Sequence, residues 1–457
     1  MTTHDHIAVP VGAAQAIRHD NLLISFTTEF LRIWDTAGSR AKPVAFWRPT
    51  PAADVLPGYF PLGDVANDGH DNISGRHVVA VVCEAETASA DPAKGKALRR
   101  PEDYQLIWKD SGSGAKRNGA IWRPVPPTGY VALGSVCSDG HEKPSLNAVR
   151  CVRIDLVSAS GLAEPVWNDK GSGARQSIST WSAVPPAAAS DEIHLAPGTF
   201  VGCSGYARPA ELTVYSLCMP ISLQAGPRPV APALDSDTPG PVQAPEQPAY
   251  TARLPWFTVK DPQLAPPQQL LQSPYYLLQR TDHYQLVGHC HNSENHSRTF
   301  RWTAPRAQQS ESLRTFTDTT SIEFGVQWQK NLPRPFLFSA RLNNDFSQCE
   351  FHSNEWRNPA PIDVAAVIAG NRSVAVYLLQ SDYSLLRADG TRVTSDISYT
   401  DSNSLHFSEY MAPQPNSIIP RQEQPQLQDD IATSAAQSEI ANEPAQASLP
   451  AVTDNAP

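Results

Sequence analysis

The chain has 457 residues, with 40% hydrophobic and 18% charged side chains, which suits folded material in two or three domains rather than a disordered polymer. Its formal net charge of −10 argues against a nucleic-acid partner, because phosphate binding needs clustered Lys and Arg. Forty-two prolines disfavour long helices and favour turns, edge strands and linkers.

The start, "MTTHDHIAVPVGAAQAIRHD", has no basic head followed by an apolar run, so no classical signal peptide is expected. No stretch of about 18 apolar residues occurs, so no membrane-spanning helix is expected either. Secretion by a non-classical route is the expected localisation, with a cytoplasmic location as the alternative. The seven cysteines, Cys83, Cys137, Cys151, Cys203, Cys218, Cys290 and Cys349, are odd in number and lack a CxxC. Buried or reduced thiols fit that better than a disulfide scaffold.

After an N-terminal segment over 1–23, a β unit recurs over 24–224. "LRIWDTAGSRAKPVAFW", "QLIWKDSGSGAKRNGAIW" and "EPVWNDKGSGARQSISTW" each read as strand, Asp/Gly/Ser turn and second Trp. The first two copies continue through Trp-Arg-Pro, Gly-Tyr, Leu-Gly and Asp-Gly-His into β-branched runs, "RHVVAVVCEA" and "NAVRCVRIDLV". The third keeps Gly198 but lacks the Arg-Pro, the Tyr and the Asp-Gly-His, and ends in "ELTVYSLCMPISL". One such unit cannot bury a core alone. Three antiparallel sheets about a pseudo-threefold axis, a β-prism-like domain, are expected, with a two-sheet sandwich as the alternative.

A Pro- and Ala-rich linker is expected over 225–252. A second β-rich region follows over 253–411, including a hairpin at Ala388-Asp389-Gly390-Thr391. The run "TFTDTTSIEFGVQWQ" is expected to be a strand with Ile322, Phe324, Val326 and Trp328 on one face, packed on the core or offered to a membrane. Residues 412–457 are polar, acidic and without aromatics, the composition of a disordered tail.

Trp47, Trp122 and Trp181 recur at one point of each unit, as core anchors or as a ligand platform. Arg48 and Arg123 suit ring stacking or a turn-stapling ion pair, with an acidic ligand as the alternative. Tyr59 and Tyr130 follow glycines that suit positive φ. Asp68 and His70, with Asp139 and His141, lie on loops repeated in register and are the leading ligand-binding candidates. Asp64, Asn67, Asp68 and Asp71 offer oxygens to Ca²⁺ but lack EF-hand spacing, so no cofactor is expected. His289 and His291 flank Cys290 on one strand face, without a second pair to complete a zinc site. No nucleophile elbow, P-loop, HExxH or dinucleotide fingerprint appears, and no enzyme is expected.

Trp108, Asp110, Gly112, Ser113, Gly114 and Ala115, then Trp122, Arg123, Pro124, Pro127, Gly129, Tyr130, Leu133 and Gly134, form a pattern that resembles the vacuolar protein sorting-associated sixty-two family. Trp47, Arg48, Pro49, Gly58, Tyr59, Leu62, Gly63 and Asp64 match in the first copy. The resemblance covers about the first half of the chain and implies trafficking or membrane association. "SPYYLLQRTDHYQLVGHCHNSENHS" and "YSLLRADGTRVTSDISY" are similar to the β regions of insecticidal and pore-forming toxins, though the chain lacks their long alternating Gly/Ser/Thr/Val-rich tract after Trp328. The expectation is a non-enzymatic toxin-like effector that binds a glycan or a lipid headgroup on a membrane surface and oligomerises if it forms pores. An intracellular sorting adaptor and a hydrolase with a hidden site are the alternatives.

Overall fold

A computed structural model describes residues 16–86, 91–328, 337–347 and 354–412. The tail expected to be disordered lies, beyond Ala412, outside the described residues. The described chain is nearly all β, built from antiparallel pairs.

Each of the first two units of the N-terminal half contributes strands to two sheets, while the strands of the third lie in one continuous sheet. In the first unit, Phe30–Asp35, Val44–Pro49 and Val65–Asp68 form one three-stranded sheet. Leu22–Thr27, Val79–Glu84 and Phe60–Pro61 pair in the other. The second unit uses the same order. Asp103–Lys109, Gly119–Val125 and Val136–Asp139 form the first sheet, and Leu98–Arg99, Cys151–Arg153 and Tyr130–Val131 the second. In the third unit the first two strands fuse into Val157–Asn168, which pairs with Val214–Pro220 over its first part and with Ile178–Val184 over its second.

The first sheets meet at a common core of Trp34, Phe46, Trp108, Ile121, Trp167, Ile178 and Phe200. An indole buried this deeply needs a partner for its N–H. Here each indole reaches the next unit: Trp34 Nε1 donates to the Arg117 carbonyl, Trp108 to Gln176 and Trp167 to Lys42, all at 2.8 Å. A second ring closes further along. Asp64 N donates to Ser135 O at 2.9 Å, Ser135 N to Phe200 O at 2.8 Å, and Phe200 N to Asp64 O at 3.0 Å. Close approach there requires small residues: a Cβ at Gly63 would lie 2.8 Å from Gly134 Cα, and one at Gly134 would lie 2.6 Å from Thr199 Cβ.

Trp47, Trp122 and Trp181 each pack in the local cluster of their own unit. All six indoles are therefore core, so the ligand-platform alternative for these rings fails on burial.

The second half is dominated by a five-stranded sheet of Ser222–Ala225, Tyr250–Pro255, Tyr275–Asn292, Arg372–Arg387 and Ile397–Met411. Arg298–Ala304 pairs with Ile362–Ile368 beside it. Gly390, with φ +85°, sits in the turn after Arg372–Arg387, where Arg387 N and Thr391 O bond at 2.8 Å. Phe338–Arg341 adds itself to the edge strand Glu192–Leu195 of the third unit. One core cluster accordingly runs from Leu22 to Tyr399. The Pro-rich stretch lies against the second half, with Leu234 buried beside Ala375 and Tyr377.

The strand expected over Thr315–Gln329 is corrected. Its first residues belong to helix Ser310–Thr320, in which Leu313, Phe316 and Thr320 turn one side toward the core. Ser321, with φ +62°, ends the helix. Residues 321–327 are irregular, and only Trp328 bridges, to Ala340. Ile322, Phe324 and Trp328 are core side chains and Val326 is half-buried, so this conformation offers no apolar strand face to a membrane.

Candidate binding face

In every unit the turn between the two Trp-bearing strands and the loop after the third strand of the first sheet lie at the same end. Antiparallel pairing dictates this, since Val44 pairs with Asp68, Gly119 with Asp139 and Ile178 with Ser204. The loops are locked to the turns. Gly69 N donates to Pro43 O at 3.0 Å, Gly140 N to Asn118 O at 2.8 Å and Gly205 N to Ser177 O at 2.9 Å. All three glycines have φ near the left-handed region, +81°, +87° and +80°, which a side chain would strain.

Asp68-Gly69-His70 and Asp139-Gly140-His141 thus have a structural counterpart in Ser204-Gly205-Tyr206, which the sequence pattern hid. His70 Nε2 bonds Thr36 Oγ1 at 3.1 Å, and His141 Nε2 bonds the Asp110 carbonyl at 2.7 Å. Tyr206 is exposed, and the Asp169 carboxylate accepts instead from Ile178 N at 2.9 Å. Thr36, Asp110 and Asp169 each stand two residues after Trp34, Trp108 and Trp167. The two histidines therefore brace the same point of the first two turns, and among the described residues the third turn lacks that side-chain brace. Asp68 and Asp139 are exposed beside them, and Asp139 pairs with Arg117 at 3.2 Å.

The turns themselves were not singled out as binding residues by sequence, although their composition signals a role. "SRAK", "GAKRNG" and "KGSGARQ" place Arg40, Lys42, Lys116, Arg117, Lys170 and Arg175 on them, and all six are exposed. The turns touch one another. Lys116 N donates to Ala37 O at 2.8 Å, and Arg175 N to Ser111 O at 3.0 Å. The result is a crown of cationic side chains on a chain that is acidic overall.

The remaining candidates sit elsewhere. Arg48 lies within the domain, forking onto the fully buried Asp64 with both bonds at 2.9 Å. The same guanidinium donates to Cys137 O of the second unit at 2.8 Å, while Cys137 N donates to Asp64 at 2.7 Å. Arg123 repeats the reach toward the third unit, bonding Gly202 O at 3.3 Å, but Ser135 stands where an acid would be and caps Gly202 N instead. Both arginines are inter-unit staples. Tyr130 donates to Lys96 O at 2.6 Å with Arg99 over its ring, and Tyr59 is half-buried, its hydroxyl pushed up to about 12 by burial and by Cys83. Neither joins the crown.

The four oxygens considered for Ca²⁺ do not converge. Asp64 is occupied by Arg48, while Asn67 bonds the Asp68 carbonyl through its amide. His291 bonds Ser373 at 2.8 Å and stands exposed, and no metal-type cluster among the described residues includes His289 or Cys290. The six described cysteines are free. No helix among the described residues is long and apolar enough to cross a membrane.

No curated protein matches the chain. Among solved structures, it is similar to GNIP1Aa from Chromobacterium piscinae, with 25% identity and a TM-score of 0.36 over 43% of this chain and 37% of that one. The chain thus spans well under half of that protein's length. It is also similar to Cry35Ab1, with 12% identity and a TM-score of 0.32 over 86% and 91% of the two chains. Residues 11–224 match the family described as Vacuolar protein sorting-associated protein 62, over the region where the Trp-Arg-Pro and Gly-Tyr landmarks lie.

Proposed function

We propose that this chain is a non-enzymatic, toxin-like effector that docks on anionic lipid headgroups through the crown of its N-terminal domain. We also propose that the three units form a β-prism-like domain, a reading supported by the cyclic hydrogen bonds of its tryptophans. The crown carries the functional reading: six exposed cationic side chains on three touching turns, tied to one another and to the adjacent loops by backbone hydrogen bonds. Juxtamembrane basic residues gain about 1 kcal/mol each near an anionic leaflet. The chain as a whole is acidic, with a net charge of −10, which favours an approach with the basic crown first. Recognition of neutral sugars by ring stacking has less support, since the six repeat-unit indoles are in the core.

The test is co-flotation of the full chain with vesicles containing phosphatidylserine, against vesicles of phosphatidylcholine alone. Binding to the first and not the second is expected, with loss in the combined variant Arg40→Ala, Lys116→Ala, Arg175→Ala. Equal binding to both vesicle types, or an unchanged variant, overturns the proposal. The family match favours a second reading, a sorting adaptor, and dye leakage separates the two: an effector that damages membranes releases dye, and an adaptor does not.

A further inference from the structure

On the outer face of the third unit's sheet, Glu192, His194 and Cys218 bring a carboxylate oxygen, an imidazole nitrogen and a thiol within 4.8 Å of one another. The sheet dictates this. Glu192 and His194 are two apart on one strand and share a face, and Cys218 stands directly across from His194 on the neighbouring strand. His19 fixes that neighbour by bonding the Cys218 carbonyl at 2.7 Å through Nδ1.

The imidazole of His194 is 95% buried and poorly satisfied. Its Nε2 lies 3.3 Å from Glu192 Oε2 and 3.3 Å from Ser158 Oγ, while its Nδ1 has no partner. With the proton on Nε2, the Nδ1 lone pair is buried unpaired. With the proton on Nδ1, an Nε2 lone pair faces a carboxylate. Both neutral forms cost free energy. Arg341, across from Glu192 on the other neighbouring strand, forms no ion pair with it among the described residues.

We infer that Glu192, His194 and Cys218 bind a divalent zinc-type ion. A cation between Nε2, the carboxylate and the sulfur takes up the Nε2 lone pair that would otherwise face the Glu192 carboxylate, and holds the ring with its proton on Nδ1. The mixture of N, S and O donors suits Zn²⁺ and not Ca²⁺ or Mg²⁺. Only the Cys218 S–H bond breaks, its proton leaves to solvent, and a metal–sulfur bond forms. Ser158 or water completes the tetrahedron, and half-exposed Glu192 gives an entry path. The site ties the two strands together beside Phe338–Arg341, the strand contributed by the second half.

The test uses metal-free full-length chain and Co²⁺ as a probe. A near-ultraviolet thiolate-to-cobalt band is expected at one equivalent, displaced by Zn²⁺ and absent in Cys218→Ser. Glu192→Gln should weaken Co²⁺ binding at least about tenfold. On the unmodified chain, Zn²⁺ should slow alkylation of Cys218 as mapped by mass spectrometry, a readout that needs no variant to fold. A band that survives Cys218→Ser, or Cys218 alkylation unaffected by Zn²⁺, overturns the site.

Discussion

At the scale of single residues, buried charges do the stapling. Asp64 is fully buried and accepts both arms of Arg48 together with Cys137 N–H. Truncating one partner of such a pair leaves the other uncompensated, so Asp64→Ala should cost about 3–5 kcal/mol in urea unfolding. Replacing Ser135, its neutral counterpart, with Ala should cost about 1 kcal/mol, the worth of one hydrogen bond. Equal costs would show that the charge is not what holds the units. The sequence showed Arg48 and Arg123 as stacking or ion-pairing groups, but their acceptors sit across units and follow no local spacing. A second buried pair lies in the other half, where Arg387 forks onto Asp261 at 2.7 and 2.9 Å and Tyr276 donates at 2.9 Å. Burial pushes the Asp261 carboxyl up, but these donors together hold it below the ordinary range. The folded state then binds that proton more weakly than the unfolded state. The stabilisation is present above the unfolded carboxylate value of about 3.9 and is lost as pH falls through the lower folded one. Asp261→Asn should therefore show a shallower loss of stability between neutral pH and about pH 3, measured by the urea midpoint. An unchanged acid limb would assign it to other carboxylates.

At the scale of elements, strands with Trp and β-branched residues were legible, and the helix was not. "TFTDTTSIEFGVQWQ" alternates apolar and polar from Ile322 to Trp328, and period two reads as strand. The polar run before it, with Leu313, Phe316 and Thr320 spaced as one helical face, carries too few apolar residues to signal a helix alone. Tertiary packing decides: Phe324 meets Tyr383 at 5.2 Å and Phe316 at 5.7 Å between ring centroids. Phe324→Asp puts an unpaired charge at that contact. It should unfold the chain or destabilise it by more than about 3 kcal/mol, read by thermal melting. A variant as stable as the parent would mean that this ring is not core. The Ser204-Gly205-Tyr206 loop teaches the converse: its backbone matches Asp-Gly-His in φ and hydrogen bonding, while its side chains share no letter except glycine.

At the scale of the whole molecule, the recurrence of Trp–turn–Trp located the strands, but it could not reveal that each first indole bonds the neighbouring unit rather than its own. Nor could it foretell that Phe338–Arg341 would complete the third unit's sheet. The same cyclic contacts bring three basic turns to one end, which gives the docking proposal a quantitative form. If the turns act together, their contributions add on one surface. Removing one charge, as in Lys116→Ala, should cost about 1 kcal/mol, or about fivefold in affinity for phosphatidylserine vesicles. Removing one from each turn should cost about 3 kcal/mol, more than a hundredfold. Both losses should shrink as salt rises from about 0.01 to 0.15 M, where the screening length falls from about 30 to 8 Å. Arg117, already paired with Asp139 at 3.2 Å, should contribute less than Lys116 when changed to Ala. A single turn that accounts for the whole effect would make the crown a local site rather than a face. Binding indifferent to salt would remove electrostatics as its basis and leave the three turns with a structural role.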